Sequence, residues 1–306
     1  RFPVRRNLGG LDVEPRALIP EVGVNMSAIR ARLMSGWTFF RISLEERLVY
    51  RGDFMLGTLM RFLPIVTQIF LWWAIFESIS SSSKATIAGY TREDMIAYYL
   101  LAMVSRAFSS MPGLTGGIAL QIQTGEIKKF LIQPIDMLGC LLLQRTAHKL
   151  VYYVIAAIPF ALVFYLCRDF FTRGWPPMDV LVGFVLSLVM AFLMGFFIEA
   201  CIGLVGFWFL EITSLAFVYM LLNFFLSGHM FPLDLLTTES VDLRVFVEAI
   251  PLKYLAYFPA AIFLEKIPRD QLAVQLAIEA VWLLFFILLS RILWARGVRR
   301  YSGFGG

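Results

Sequence analysis

Six stretches of about 20 mostly apolar residues run through this chain, each long enough to cross a hydrocarbon core of roughly 30 Å as a helix. They lie at approximately 54–77, 94–115, 147–167, 178–203, 209–231 and 271–294. Lipid offers no water to backbone N–H and C=O groups, so such stretches must close their hydrogen bonds internally, as helices do. Composition agrees: 59% of the 306 residues are hydrophobic and 16% charged, with 29 Phe and 7 Trp. An ordinary soluble domain carries roughly 25% charged residues. These figures exclude a soluble globular enzyme and a disordered chain. The fold class is an all-α membrane protein with six transmembrane helices.

Orientation follows from where the Lys and Arg residues fall, because basic residues concentrate on the cytoplasmic side. With the amino terminus inside, segments 1–51, 119–149 and 291–306 hold seventeen of the 27 basic residues. The opposite segments 78–93, 168–177 and 232–270 hold eight, and Arg61 and Arg106 lie within spans. Both termini are expected in the cytoplasm of a bacterial plasma (inner) membrane.

The chain divides into a polar tail over 1–25, a cytoplasmic-face amphipathic helix over 26–52, a permease-like membrane domain over 53–295 and a basic tail over 296–306. In the second of these, basic residues alternate with Leu, Trp, Phe and Ile at near-helical spacing, the pattern of a helix lying in the interface. The outer segment 232–270 is semi-apolar but interrupted by Pro232, Pro251, Pro259 and Pro268. Its runs are too short to span, so short re-entrant or interfacial helices are expected there.

The chemistry of the chain is sparse. No GxxxxGK[ST] phosphate loop, HExxH or GxSxG occurs, and two histidines cannot build a multi-His metal centre. Cys140, Cys167 and Cys201 sit far apart in apolar stretches and read as buried free thiols. Charges inside spans need partners or water. Arg106, Glu199 and Glu279 are the ones to place, with an Arg106–Glu199 ion pair expected and Glu279 facing either a polar path or the bundle interior. Gly113 and Gly117 have a spacing that allows close helix contact, or else mark a helix break. The inner loop TGEIKKFLIQPID sets Glu126, Lys128 and Lys129 beside Phe130, Leu131 and Ile132 before Pro134, a short amphipathic helix at the membrane face.

The order of these features resembles the permease subunits of type-2 ABC exporters, in the bacterial branch whose permeases are often encoded in pairs beside a separate ATPase. The points of likeness are the amphipathic N-terminal helix running into LVYRGDF, the GEIKKFLIQPI loop and NFFLSGHMFPLDLL closing the fifth span. IPLKYLAYFPAAIFL and the tail RRYSGFGG complete the order. The resemblance covers about 29–306. It implies a coupling helix for the ATPase at Glu126, Ile127, Lys128, Lys129, Phe130 and Pro134, and an outer gate at Phe231, Pro232, Pro251 and Tyr254. It implies two ABC ATP-binding subunits as partners, carrying ATP and Mg, and a second permease, identical or paralogous, forming a dimer with an efflux path between the two. No cofactor on this chain, no catalytic role and no nucleic acid are expected. TTES at 237–240 departs from the family pattern, where a proline is expected.

Three other classes remain open on the residues alone. An ion-coupled secondary transporter would carry internal repeats and broken midplane helices, and no convincing repeat relates 54–167 to 178–294. A membrane scaffold would move no substrate. An intramembrane enzyme would need a nucleophile–base pair, which neither His148 nor His229 offers.

Overall fold

The computed structural model describes residues 37–38, 40–42, 45, 63–79, 86–133, 135–172, 174–209, 211–238, 241–242 and 249–301. Most of the amphipathic helix expected over 26–52 lies outside the described residues. Those described within it are helical, with the Trp37 and Phe40 rings stacked at 5.7 Å and Arg41 paired with Glu45 at 2.9 Å.

The first long helices are α1 (Leu63–Ile79) and α2 (Arg92–Ser109). Thr91 caps α2, its side chain accepting from the Asp94 amide at 3.1 Å, while Glu93 and Asp94 favour the positive end of the helix dipole. The second span was expected to be continuous over 94–115. Instead α2 stops at Ser109 and the chain resumes as α3 (Leu114–Gln123). Pro112 has no N–H to extend a helix and disfavours α geometry at Met111, and Gly113 adopts the left-handed φ of +73°. The helix-break reading of Gly113 and Gly117 is therefore the correct one.

After the short α4 (Lys128–Ile132) comes α5 (Met137–Leu166), which begins well before the expected 147. Asp136 caps it, accepting from the Gly139 amide at 2.9 Å. Its polar first turns, containing Arg145, His148 and Lys149, had read as loop because hydropathy cannot distinguish a polar helical face from a connector. Then follow α6 (Met178–Leu204), continued by a 3-10 turn Val205–Phe207, and α7 (Thr213–Leu226).

The outer stretch folds as 3-10 turns Leu233–Leu236 and Pro251–Leu255 and as α8 (Tyr257–Phe263), before α9 (Arg269–Arg300). At TTES, β1 (Thr237–Thr238) pairs antiparallel with β2 (Val241–Asp242), Thr237 opposite Asp242 and Thr238 opposite Val241. Among the described residues, α5, α6 through Phe207, and α9 are long and apolar enough to cross a membrane. α7 is apolar but shorter.

The core is organised around α6. A helix apolar on every side belongs in the interior, and α9, α3, α2 and α8 all pack on it. Two glycines let the backbones approach. A Cβ on Gly195 would lie 2.0 Å from the Ser109 carbonyl oxygen, and one on Gly203 would lie 2.9 Å from Ile118 and 3.0 Å from the Thr115 oxygen. α7 buries none of its residues, and turns Phe217, Val218 and Met220 outward. Cys140, Cys167 and Cys201 are free and buried.

Gly195→Ala should force α2 away from α6 and destabilise the fold by about 1–3 kcal/mol, the usual range for overpacking. Gly117→Ala is the control, because a Cβ there meets nothing within 4 Å, and better helix propensity should stabilise it by up to about 1 kcal/mol. Survival of the monodisperse peak after heating, read by fluorescence-detected gel filtration, ranks the two.

Candidate functional site

The break between α2 and α3 leaves backbone groups with no helical partner, and two neighbouring helices supply partners. Arg145, Lys149 and Tyr153 recur every four residues on one face of α5. Arg145 Nη1 donates to the Pro112 carbonyl at 2.8 Å. Lys149 Nζ donates to the Ala107 carbonyl and reaches Ser110 Oγ at 3.5 Å, and Tyr153 Oη donates to the same Ala107 oxygen at 3.4 Å. From α6, the Glu199 carboxylate accepts from the backbone N–H groups of Met111 and Thr115. Thr115 Oγ1 donates to that carboxylate at 3.4 Å and to the Glu199 carbonyl at 3.1 Å. A carboxylate at the start of α3 also meets the positive end of its dipole.

A cavity of about 680 Å³ opens beside this break. Its walls include Arg106, Tyr99, Tyr219, Phe224 and His229 together with residues of the break itself. The Arg106 guanidinium lies 6.0 Å from the centre of the Phe224 ring, and the His229 ring stacks on Tyr99 at 6.3 Å and meets Phe224 edge-on at 5.7 Å. Arg106 and Glu199 thus share one cavity wall. The hydrogen bonds of Glu199 go to the break, and Arg145 is the cation that acts on it. Glu279 lies elsewhere, fully buried on α9 beside Ser187 of α6, so it faces the bundle interior.

The outer stretch is tied to the start of α2 by polar contacts. Asp234 accepts from Tyr90 Oη at 2.7 Å and from Tyr257 Oη at 2.9 Å. Asp94 pairs with Lys266 at 2.7 Å, both largely buried, and Lys266 also donates to the Gly89 carbonyl at 2.8 Å. Burial, then Tyr257 and Asp234 nearby, push the Tyr90 hydroxyl well above the usual tyrosine range. Among the expected gate residues, Tyr254 and Pro232 are buried, Phe231 and Pro251 half-buried. Tyr254 packs edge-on against Phe258 at 5.0 Å.

On the inner side the expected coupling residues divide. Glu126, Lys128 and Lys129 are exposed, with Lys129 and Glu126 3.8 Å apart. Ile127 is completely buried and Phe130 packs on the core, so these two anchor the loop and are not presented to a partner. Ile132 is 83% exposed. Pro134 lies outside the described residues. The far side of the loop is braced by α9, whose Arg291 grips Asp136 through two bonds of 2.5 and 3.0 Å. Tyr301 closes the brace, packing edge-on against Phe207 at 6.0 Å.

Sequence reasoning missed Arg145 and Lys149 as functional in the fold, placing them in a connector. The signal was present as a basic–basic–tyrosine repeat of four residues on an otherwise apolar helix. The Asp94, Asp234 and Lys266 cluster had no local signal, since its members are far apart in the chain. Among the described residues, no group of three or more His, Cys, Asp or Glu is placed to hold a metal ion.

A family model described as "ABC-2 family transporter protein" matches residues 62–305, well over half of the chain. No curated protein and no solved structure matches it.

Lys149→Met retains the apolar stem and removes the donor, leaving the Ala107 carbonyl with a weaker set of partners. An unsatisfied buried group costs about 1–3 kcal/mol, so the heating midpoint of the purified protein should fall clearly. Lys128→Met, at an exposed position, should leave that midpoint unchanged.

Proposed function

The chain belongs to the ABC-2 transporter family, and from that premise we propose that it is the membrane-spanning permease subunit of an ATP-driven exporter. It would cross the bacterial inner membrane six times with both termini in the cytoplasm. α1 and α7 with the segments flanking them, and α2 with α3, supply the crossings beyond the three long apolar helices. The short helices of the outer stretch would dip back toward the membrane and close the path from outside. ATP and Mg would be bound by two separate ATPase subunits, and a second permease, identical or paralogous, would complete the pathway.

The observation that carries this reading is the inner loop. α4 is held against the body by Ile127 from within and by Arg291 on Asp136 from behind, yet it presents exposed Ile132 with Lys128 and Lys129 beside it. A rigid loop with an apolar tip and a charged rim suits a protein groove, since an apolar anchor supplies affinity while rim charges set partner choice. Force applied there reaches two elements directly: α5 through its Asp136 cap, and α9 through Arg291. Closure of the partner ATPases would shift this loop, and the permease would exchange an inward-facing for an outward-facing state, a population shift driven by differential contacts.

Ion-coupled transport gains one supporting feature, the helix broken beside a polar cavity, which secondary transporters also use. The inner loop is not explained by that alternative, so the exporter reading is preferred.

The test is a mild-detergent purification of the tagged chain from its native membrane. A phosphate-loop ATPase should co-purify, and the double reversal Lys128→Glu with Lys129→Glu should remove it while the permease still elutes as a monodisperse peak. Full retention of the ATPase, with its stimulated activity, in an Ile132→Asp, Lys128→Glu and Lys129→Glu triple variant would sink the coupling assignment.

A further inference from the structure

We infer that the cavity beside the α2–α3 break binds an amphiphile with an anionic head group, the head at Arg106 and the apolar body along α7. This rests on the permease reading and names the class of molecule that the pathway takes.

Size comes first. A cavity of about 680 Å³ falls within the roughly 300–1,000 Å³ of sites that enclose small organic molecules, and it is far larger than a bare inorganic ion needs. Charge comes second. Two guanidinium groups, Arg106 on the wall and Arg145 on the Pro112 carbonyl, stand against one carboxylate, Glu199. Glu199 is already matched by Arg145 and by two backbone N–H groups. The local balance is therefore positive, and it disfavours a cationic head.

The lining supplies the third argument. Arg106 sits among Phe224, Tyr99 and His229, and such aromatic walls exclude water. A charge-assisted bond from a guanidinium to an acidic oxygen is strong where water is scarce. The rest of the wall, with Met103, Phe160, Ala216 and Met220, is apolar. Three of the residues named here, Ala216, Met220 and Phe224, lie on α7, the helix that buries none of its own residues. One end of the cavity thus suits an acid and the other a hydrocarbon or ring system.

The experiment uses the full chain, with whatever subunits co-purify, in phosphatidylcholine nanodiscs. The probe is 11-(dansylamino)undecanoate, read by dansyl fluorescence, with its neutral methyl ester as comparison and empty nanodiscs as background. The carboxylate should bind at least about tenfold more tightly than the ester, a difference that one charge-assisted bond in a dry site supplies. Arg106→Gln should bring the two probes to equal affinity, and Arg106→Lys should keep most of the preference. Gly116 lines the cavity, and a Cβ there meets nothing within 4 Å. Gly116→Leu therefore fills the space without strain, and should weaken both probes by about tenfold or more.

Adding phosphatidylglycerol to the discs separates the two sources of such a head group. Displacement of the carboxylate identifies the site as one for anionic membrane lipid; no displacement identifies it as one for a free acidic amphiphile. Equal binding of acid and ester to the unmodified protein overturns the inference. So does an unchanged acid affinity in Arg106→Gln, or an unchanged affinity for both probes in Gly116→Leu. Co-purification of the ATPase is scored on the same sample, so the binding inference can fail while the permease reading stands.

Discussion

A helix that breaks inside an apolar bundle strands backbone groups where no water reaches them, and this fold is arranged around satisfying one such break. Four side chains do so from two sides. Arg145, Lys149 and Tyr153 descend one face of α5 to the carbonyl oxygens that end α2. Glu199 of α6 takes the N–H groups that begin α3. Each group would be costly alone at this depth, since an unpaired buried charge is far less tolerable than a paired one. Placed at the break, they turn a defect into a joint between α2, α3, α5 and α6.

That joint has consequences at both ends of the molecule. Because Gly195 and Gly203 let α2 and α3 lie against the α6 backbone, a shift of α6 is transmitted to the break without slack. Protein interiors are close-packed and shift between discrete arrangements more readily than they deform. Toward the outside, α2 begins at Asp94, which holds Lys266, and beside Tyr90, which holds Asp234, so the outer stretch follows α2. Toward the inside, α5 begins at Asp136, which holds Arg291 of α9 and continues from the α4 loop. The cavity lies between these two attachment points.

Much of this was legible in the residues. The apolar runs located the long helices, the prolines of 232–270 announced short helical turns, and the order of features pointed to the family whose model matches. Local signals also marked the break, in Pro112 and Gly113, although they permitted a close helix contact equally well. What sequence could not supply was the pairing of distant groups. Hydropathy placed Arg145 and Lys149 in a connector because it sums a window and ignores which face carries the charge. Ile127 and Ile132 are the same residue type in one loop, and periodicity over a five-residue helix is too short to tell the anchor from the exposed tip. Glu199 and Arg106 suggested an ion pair by depth and sign, but depth does not reveal that backbone N–H groups stand nearer to the carboxylate.

The central claim is that the α4 loop faces the cytoplasm, ready for an ATPase, while the opposite end of α5 faces outward. Single thiols test it most directly, because the three native cysteines are buried. Ile132 is 83% and Trp175 84% exposed, so Ile132→Cys and Trp175→Cys should each react readily with a membrane-impermeant maleimide. Labelling at 175 is expected in intact cells alone and at 132 in inverted vesicles alone, with the latter blocked when the partner ATPase is bound. Labelling of both positions from the same side of the membrane would contradict the account.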